Sequence, residues 1–152
     1  MKINTIINFS VSVLFCSSVS FAWGDLGHQT VAEIAQRQLS AKAKVMVYDL
    51  IGHGPMAEAA IYPDLVRSDE DYKEFAAYHF IEIDPRWGSY DKIPAEIKEK
   101  HDANSLISSI PTKIFENILS GPKYDKLQRQ DLMRYLIHLV GDVHQPLHVG
   151  NG

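Results

Sequence analysis

The sequence predicts an all-α fold, a compact helical array behind an export leader, and three observations carry that prediction. After residue 22, apolar residues recur at three- and four-residue spacing in one segment after another, the period of a helix with one buried face. Glycine and proline clusters separate these segments. No pair of alternating runs joined by a tight turn suggests a β-hairpin, and there is no internal repeat or low-complexity tract.

The leader comes first. MKINTIINFSVSVLFCSSVSFA has one charge at Lys2, an apolar stretch over residues 6–15, and small residues at Ser20 and Ala22, the layout of a signal peptide with a Ser-x-Ala cleavage site. Asn8, Ser10 and Ser12 interrupt the apolar stretch, which falls short of the roughly 20 residues of a membrane span. Phe15 before Cys16 fits lipid attachment poorly. Residues 1–22 are therefore read as a signal peptide and residues 23–152 as part of one domain, secreted or periplasmic, monomeric, and free of the membrane after cleavage. Cleavage makes Trp23 the amino terminus and removes Cys16, the single cysteine, so the exported chain holds no disulfide.

The helices follow in order. Val31, Ala32, Ile34, Ala35 and Leu39 mark the first. Ser40 stands as N-cap of a second carrying Val45, Met46, Leu50 and Ile51, which Gly52, Gly54 and Pro55 end. A third segment runs over 56–68 with an interruption at Pro63. Residues 75–84 form a short aromatic and β-branched run, and 85–94 read as loop. A helix is expected over 104–119, kinked or divided at Pro111 and stopped by Gly121 and Pro122. The last helix, 125–144, is the most apolar part after the leader. The sequence then ends on HVGNG with a loop just opening, which reads as the front part of a longer protein truncated at its C-terminus.

Charge limits the partners. After the leader there are 14 basic against 19 acidic residues, a net charge of −5, so the chain has no electrostatic footprint for nucleic acid of its own. A polyanion bound here must meet positive charge that the sequence does not encode.

The chemistry concentrates in LMRYLIHLVGDVHQPLH, residues 132–148. His138 and Asp142 stand four apart and share a helix face, among enough apolar neighbours to turn that face inward. A buried carboxylate needs a partner or a cation. Arg134, one turn before His138, offers the bland solution of a buried salt bridge. His148 offers another, because Pro146 ends the helix and lets a third ligand-type side chain fold back. His144 lies off the stripe and reads as a cap. Upstream, Asp64 and Arg67 are three apart, an ordinary intrahelical pair when taken alone. In YHFIEID, His79 alone reads as a core histidine. If that segment is extended, Phe80 and Glu82 point the same way, a ring to stack on beside an acceptor. A free α-amine at Trp23, with a pKa near 8 and its own carbonyl beside it, could chelate a metal.

WGDLGH, YPDLVR, YHFIEID and HLVGDVHQPLHVGNG, in this order across residues 23–152, closely resemble the secreted trinuclear-zinc nucleases that cut single strands and also act as 3′-nucleotidases. The zinc-dependent phospholipases C share the fold and the terminal tryptophan, and stand as the alternative; an inactive zinc-binding fragment is the alternative of another class. The resemblance implies three Zn²⁺ positions. Asp64, His79 and His138 would hold one, and Asp142 would bridge it to a second bound by the Trp23 amine and carbonyl and by His28. His148 would belong to a third that needs ligands beyond Gly152, so the residues present support two. Asp64, Asp142 and Arg67 would serve catalysis, Arg67 beside the phosphate. Phe80 would stack on a base, with Glu82 where the family often has aspartate. The implied reaction is hydrolysis of the P–O3′ bond of single-stranded RNA and DNA to 5′-phosphate products, and release of phosphate from 3′-nucleotides. Three zinc ions would supply the positive charge that the sequence lacks.

Overall fold

The computed structural model describes residues 24–81, 83–102, 110, 114–119 and 123–149. Residues 1–22, Trp23, Glu82 and the expected kink at Pro111 lie outside them. The described residues are helical, with no strand among them. The α-helices are α1 (Asp25–Gln38), α2 (Ala41–Ile51), α3 (Met56–Ala60), α4 (Tyr62–Val66), α5 (Ala95–Asp102), α6 (Glu116–Leu119) and α7 (Lys126–Asp142), with 3₁₀ turns at Glu70–His79, Pro85–Trp87 and Tyr90–Lys92.

Helix α7 is the axis of the array. Asp125 starts it with a capping box, accepting from Gln128 N–H while the Gln128 side chain accepts from Asp125 N–H, which satisfies two groups that a helix start leaves bare. From Leu132 onward α7 buries Leu132, Met133, Tyr135, Ile137, His138, Leu139, Gly141 and Asp142, so it is enclosed on nearly every side. Helices α1, α2, α3, α4 and α6 and the 3₁₀ segment Glu70–His79 all pack on it. Ala32, Val47, Leu50, Met56, Ala60, Ile114 and Ile118 complete the core. Fully burying one side chain such as Leu139 contributes about 1.5–3 kcal/mol.

Several local expectations hold. Ser40 caps α2, its Oγ accepting from Ala43 N–H at 3.2 Å, and Gly52 ends that helix at φ 86°, a left-handed conformation open to glycine. The expected segment 56–68 is two short helices. The break falls at Ile61, and Pro63 sits in the first turn of α4, where its missing N–H costs nothing. The start of α3 is fixed from a distance, because Met56 N–H donates to Gln36 Oε1 of α1 at 2.6 Å. Residues 85–94 contain two 3₁₀ turns, and α5 lies in a stretch where the sequence suggested no helix. Of the expected helix 104–119, α6 covers Glu116–Leu119, and residues 104–109 and 111–113 lie outside the described residues.

Candidate metal centre

The last turn of α7 brings His138 and Asp142 onto one inward face, with His138 Nε2 3.2 Å from Asp142 Oδ2 and both side chains wholly buried. Three other segments deliver histidines to the same carboxylate. The 3₁₀ segment ends at His79, whose Nδ1 lies 3.1 Å from Asp142 Oδ2 and 3.0 Å from His138 Nε2. The first turn of α1 brings His28 Nε2 to 3.4 Å from Asp142 Oδ1. The turn after α7, closed by His148 N–H on Gln145 O, brings His148 Nδ1 to 3.7 Å from the same oxygen. One oxygen of Asp142 thus faces His79 and His138, and the other faces His28 and His148. Asp64, on α4, approaches from the rim, with Oδ1 3.9 Å from His138 Nε2 and Oδ2 4.0 Å from His28 Nε2.

The expected salt bridge does not form. Arg134 donates to Asp131 Oδ1 at 3.1 Å, one turn toward the start of the helix, and its guanidinium covers the ring of Tyr62. A planar donor fork that finds both a carboxylate and an aromatic face there has no reason to extend to Asp142. Among the described residues, Asp142 has only imidazoles for ion-pair partners.

Hydrogen bonding around the cluster leaves lone pairs converging. His138 Nδ1–H donates to Ala60 O at 2.6 Å, which fixes the tautomer and leaves Nε2 as a lone pair in the neutral ring. His148 Nδ1–H, 3.7 Å from Asp142 Oδ1, donates to His79 O at 2.6 Å. Backbone carbonyls orient metal-bound histidines in this way. His138 Nε2, His79 Nδ1 and Asp142 Oδ2 then lie within about one hydrogen-bond length of each other with too few protons between them. Asp142 Oδ1, His28 Nδ1 and His79 Nε2 are buried with no hydrogen-bond partner among the described residues. Buried polar atoms are normally satisfied, so the donor set fits a cation. Two overlapping groups have ligand atoms mutually within 4.8 Å: His28, Asp64 and His138, and His79, His138 and Asp142.

The buried groups also shift one another electrostatically. For Asp142, burial pushes the carboxyl pKa up, but hydrogen bonds from His138 and His79 and their charges outweigh it and hold the group well below the usual carboxylate range. Burial pulls His138 down, yet the Asp142 hydrogen bond and charge, the Ala60 carbonyl and Asp64 together leave it raised. Burial lowers His28, helped by neighbouring His138.

The substrate-side candidates lie outward. Phe80 is extended, at φ −148° and ψ 164°, and 46% exposed between the buried His79 and Ile81. Ile81 N–H donates to His148 O at 2.7 Å, which together with the His148–His79 bond clamps the backbone on either side of Phe80. Arg67 lies at the surface with a guanidinium nitrogen 4.0 Å from Asp64 Oδ1. His144 donates to Val140 O at 2.6 Å in an exposed position, the cap expected of it. Trp23 and Glu82 fall outside the described residues, so the cluster gathers six of the seven expected ligands.

The sequence offered no signal for the carbonyls of Ala60 and His79, because every residue has one. It did offer a signal for Gly141, a glycine inside a helical pattern. A Cβ built there would lie 2.6 Å from His28 Nδ1.

Comparison with known proteins follows the same outline. The family model described as S1/P1 Nuclease matches residues 23–152. Nuclease S1 of Aspergillus oryzae is 24% identical over 153 residues, covering 96% of this chain and 50% of that protein. Nuclease P1 of Penicillium citrinum is 27% identical over 137 residues, covering 83% and 47%, and Endonuclease 1 of Arabidopsis thaliana is 26% identical over 149 residues, covering 91% and 48%. The chain spans about half the length of the curated relatives it matches. With the all-helical fold and the histidine-ringed carboxylate, the match over residues 23–152 shows that this chain belongs to the S1/P1 nuclease family.

Proposed function

We propose that the protein is an exported zinc-dependent phosphodiesterase, monomeric, that hydrolyses single-stranded RNA and DNA to 5′-phosphate products and releases phosphate from 3′-nucleotides. The observation that carries the metal dependence is Asp142, fully buried, with imidazoles on both oxygens and one oxygen without a hydrogen bond. Imidazole and carboxylate donors without a thiolate suit zinc. Asp64, His79 and His138 would hold one ion. Asp142 would contribute to it and to a second, together with His28 and the Trp23 amine and carbonyl that leader cleavage would expose. His148 would serve a third.

Bound zinc supplies Lewis acidity, acidifying water and neutralising the phosphate charge, which an acidic chain needs if it is to accept a polyanion. The residues of the chain do the rest. Asp142 and Asp64 would supply carboxylate oxygens to the ions, and Arg67 would meet a phosphate oxygen at the rim. Phe80 stacks on a base that has left its neighbours, and Glu82 accepts from that base. A base inside a duplex is unavailable for stacking, which favours single strands. The nuclease names of the relatives favour nucleic acid over a phospholipid head group as substrate.

The test is chelation with the full-length protein carrying its processed terminus. EDTA abolishes hydrolysis of single-stranded DNA, added Zn²⁺ restores it, and duplex DNA is cut more slowly throughout. Undiminished hydrolysis by a sample shown by atomic emission to be free of metal overturns the proposal.

A further inference from the structure

Gly141 sits inside α7, three residues after His138 and one before Asp142. Its backbone is ordinary helix, since the glycines with positive φ are Gly52 and Gly88. Nothing about the conformation therefore asks for glycine, and helix propensity argues against it by about 1 kcal/mol relative to alanine. The space around it does ask for glycine. A Cβ at position 141 would lie 2.6 Å from His28 Nδ1, 3.3 Å from Cε1 and 3.6 Å from Cγ. The ring it would strike is 2% exposed and stacked on His138, with centroids 3.8 Å apart and planes at 15°. The ring cannot swing aside without leaving that stack.

The histidines around Asp142 differ in what fixes their rings. His138 is held by Ala60 O through the nitrogen turned away from the carboxylates, and His148 by His79 O through Nδ1. The corresponding nitrogen of His28, Nδ1, is buried with no hydrogen-bond partner among the described residues and lies against Gly141. Packing takes the place of the missing hydrogen bond. The notch at Gly141 and the face of His138 together set the plane of His28 and aim its Nε2 at Asp142 Oδ1, 3.4 Å away.

We infer that Gly141 is a positioning residue of the metal centre: by lacking a side chain it admits the His28 ring beside α7, and any larger residue there displaces His28 from Asp142. The consequence for zinc rests on the proposed function, in which His28 is a ligand. The steric claim does not.

The experiment is a double-mutant cycle of Gly141→Ala and His28→Ala in the full-length protein. The melting temperature is measured without metal, and zinc equivalents and affinity are measured by competition with a chromophoric chelator. With His28 present, Gly141→Ala leaves the melting temperature unchanged or lower and costs one zinc equivalent, or at least about tenfold in the affinity of one site. In the His28→Ala background the same change meets empty space and raises the melting temperature by roughly 2–4 °C, the gain that better helix propensity gives a chain of this size. If Gly141→Ala alone fails to fold, a folded double variant supports the inference and an unfolded one overturns it. Equal stabilisation in both backgrounds also overturns it. A protein that binds no zinc at all refutes the proposed function while leaving the melting-temperature cycle to decide the steric role. A lower melting temperature with every zinc site at wild-type affinity reduces Gly141 to a packing position and overturns the inference.

Discussion

Helix α7 carries two inward-turned carboxylates, Asp131 near its start and Asp142 at its last residue, and their surroundings differ in kind. Asp131 accepts from Arg134 at 3.1 Å on one oxygen and from the Tyr72 hydroxyl at 2.9 Å on the other. Tyr72 in turn shares a 2.8 Å bond with the Tyr62 hydroxyl, and Arg134 covers the Tyr62 ring at 4.3 Å. The hydrogen bond with Tyr62, then burial and Asp131, push ionisation of the Tyr72 hydroxyl up. Every charge in this network has a partner, so it is complete as protein. It straps α4 and the Glu70–His79 segment to α7, and those two elements carry Asp64 and His79. Asp142 is more deeply buried and, among the described residues, meets only imidazoles and keeps one oxygen unbonded. A satisfied buried network builds structure, whereas one short of protons and cations is built for something the chain does not itself contain.

The two aspartates should therefore separate in one experiment. Asp142→Asn keeps the shape and removes the charge. It should empty both zinc positions that share this residue and lower hydrolysis by more than about 100-fold, beyond the 10–100-fold typical of outer-sphere partners. Asp131→Asn should lower folding stability by about 1–3 kcal/mol, the scale of a hydrogen bond to a charged group, with zinc stoichiometry intact. Denaturant melts and metal counting on the two variants check this. Matching losses of zinc in both would erase the distinction between them.

Phe80→Ala refines the contrast between groups that hold metal and groups that meet only substrate. Phe80 projects outward while its neighbours are clamped to His148, so truncation should leave zinc content unchanged. Binding of single-stranded DNA should weaken by roughly 1–3 kcal/mol, the worth of one base on an aromatic ring, read as a raised KM with kcat little affected. A loss confined to kcat would assign Phe80 to the metal cluster instead.

The helical fold was legible because periodicity and punctuation agreed over α1, α2 and α7: Ser40 and Gly52 bracket α2, and Asp125 opens α7. The legibility failed at α5, where Ala95–Asp102 is polar and lacks a clear apolar stripe, and at Ile61, where the break precedes the proline expected to cause it. His138 and Asp142 marked an inward polar face by spacing, and His148 after Pro146 was what weighed against a plain salt bridge with Arg134. His28, Asp64 and His79 could be joined to it only through resemblance, because no local pattern reveals that α1, α4 and a 3₁₀ segment converge on one carboxylate. The fate of Arg134 was ambiguous for a related reason. It lies three residues after Asp131 and eight before Asp142, and only the positions of Tyr62 and Tyr72 decide between them.

His144 and His148 repeat the contrast on a smaller scale, since both follow Asp142 and both use Nδ1–H on a carbonyl. For His148 that carbonyl belongs to His79, so the bond joins two distant segments and holds the ring beside Asp142, with Nδ1 3.7 Å from Oδ1. For His144 it belongs to Val140, one turn back in the same helix, where a donor near the C-terminus satisfies one of the carbonyls that a helix end leaves bare. His144→Ala should therefore cost about 0.5–1.5 kcal/mol of stability, the net worth of one hydrogen bond, and leave both zinc content and hydrolysis at wild-type levels. Thermal melts and metal counting on this variant check the pair: loss of a zinc equivalent would mean that proximity to Asp142, rather than the carbonyl each ring is bonded to, decides which histidines serve the metal.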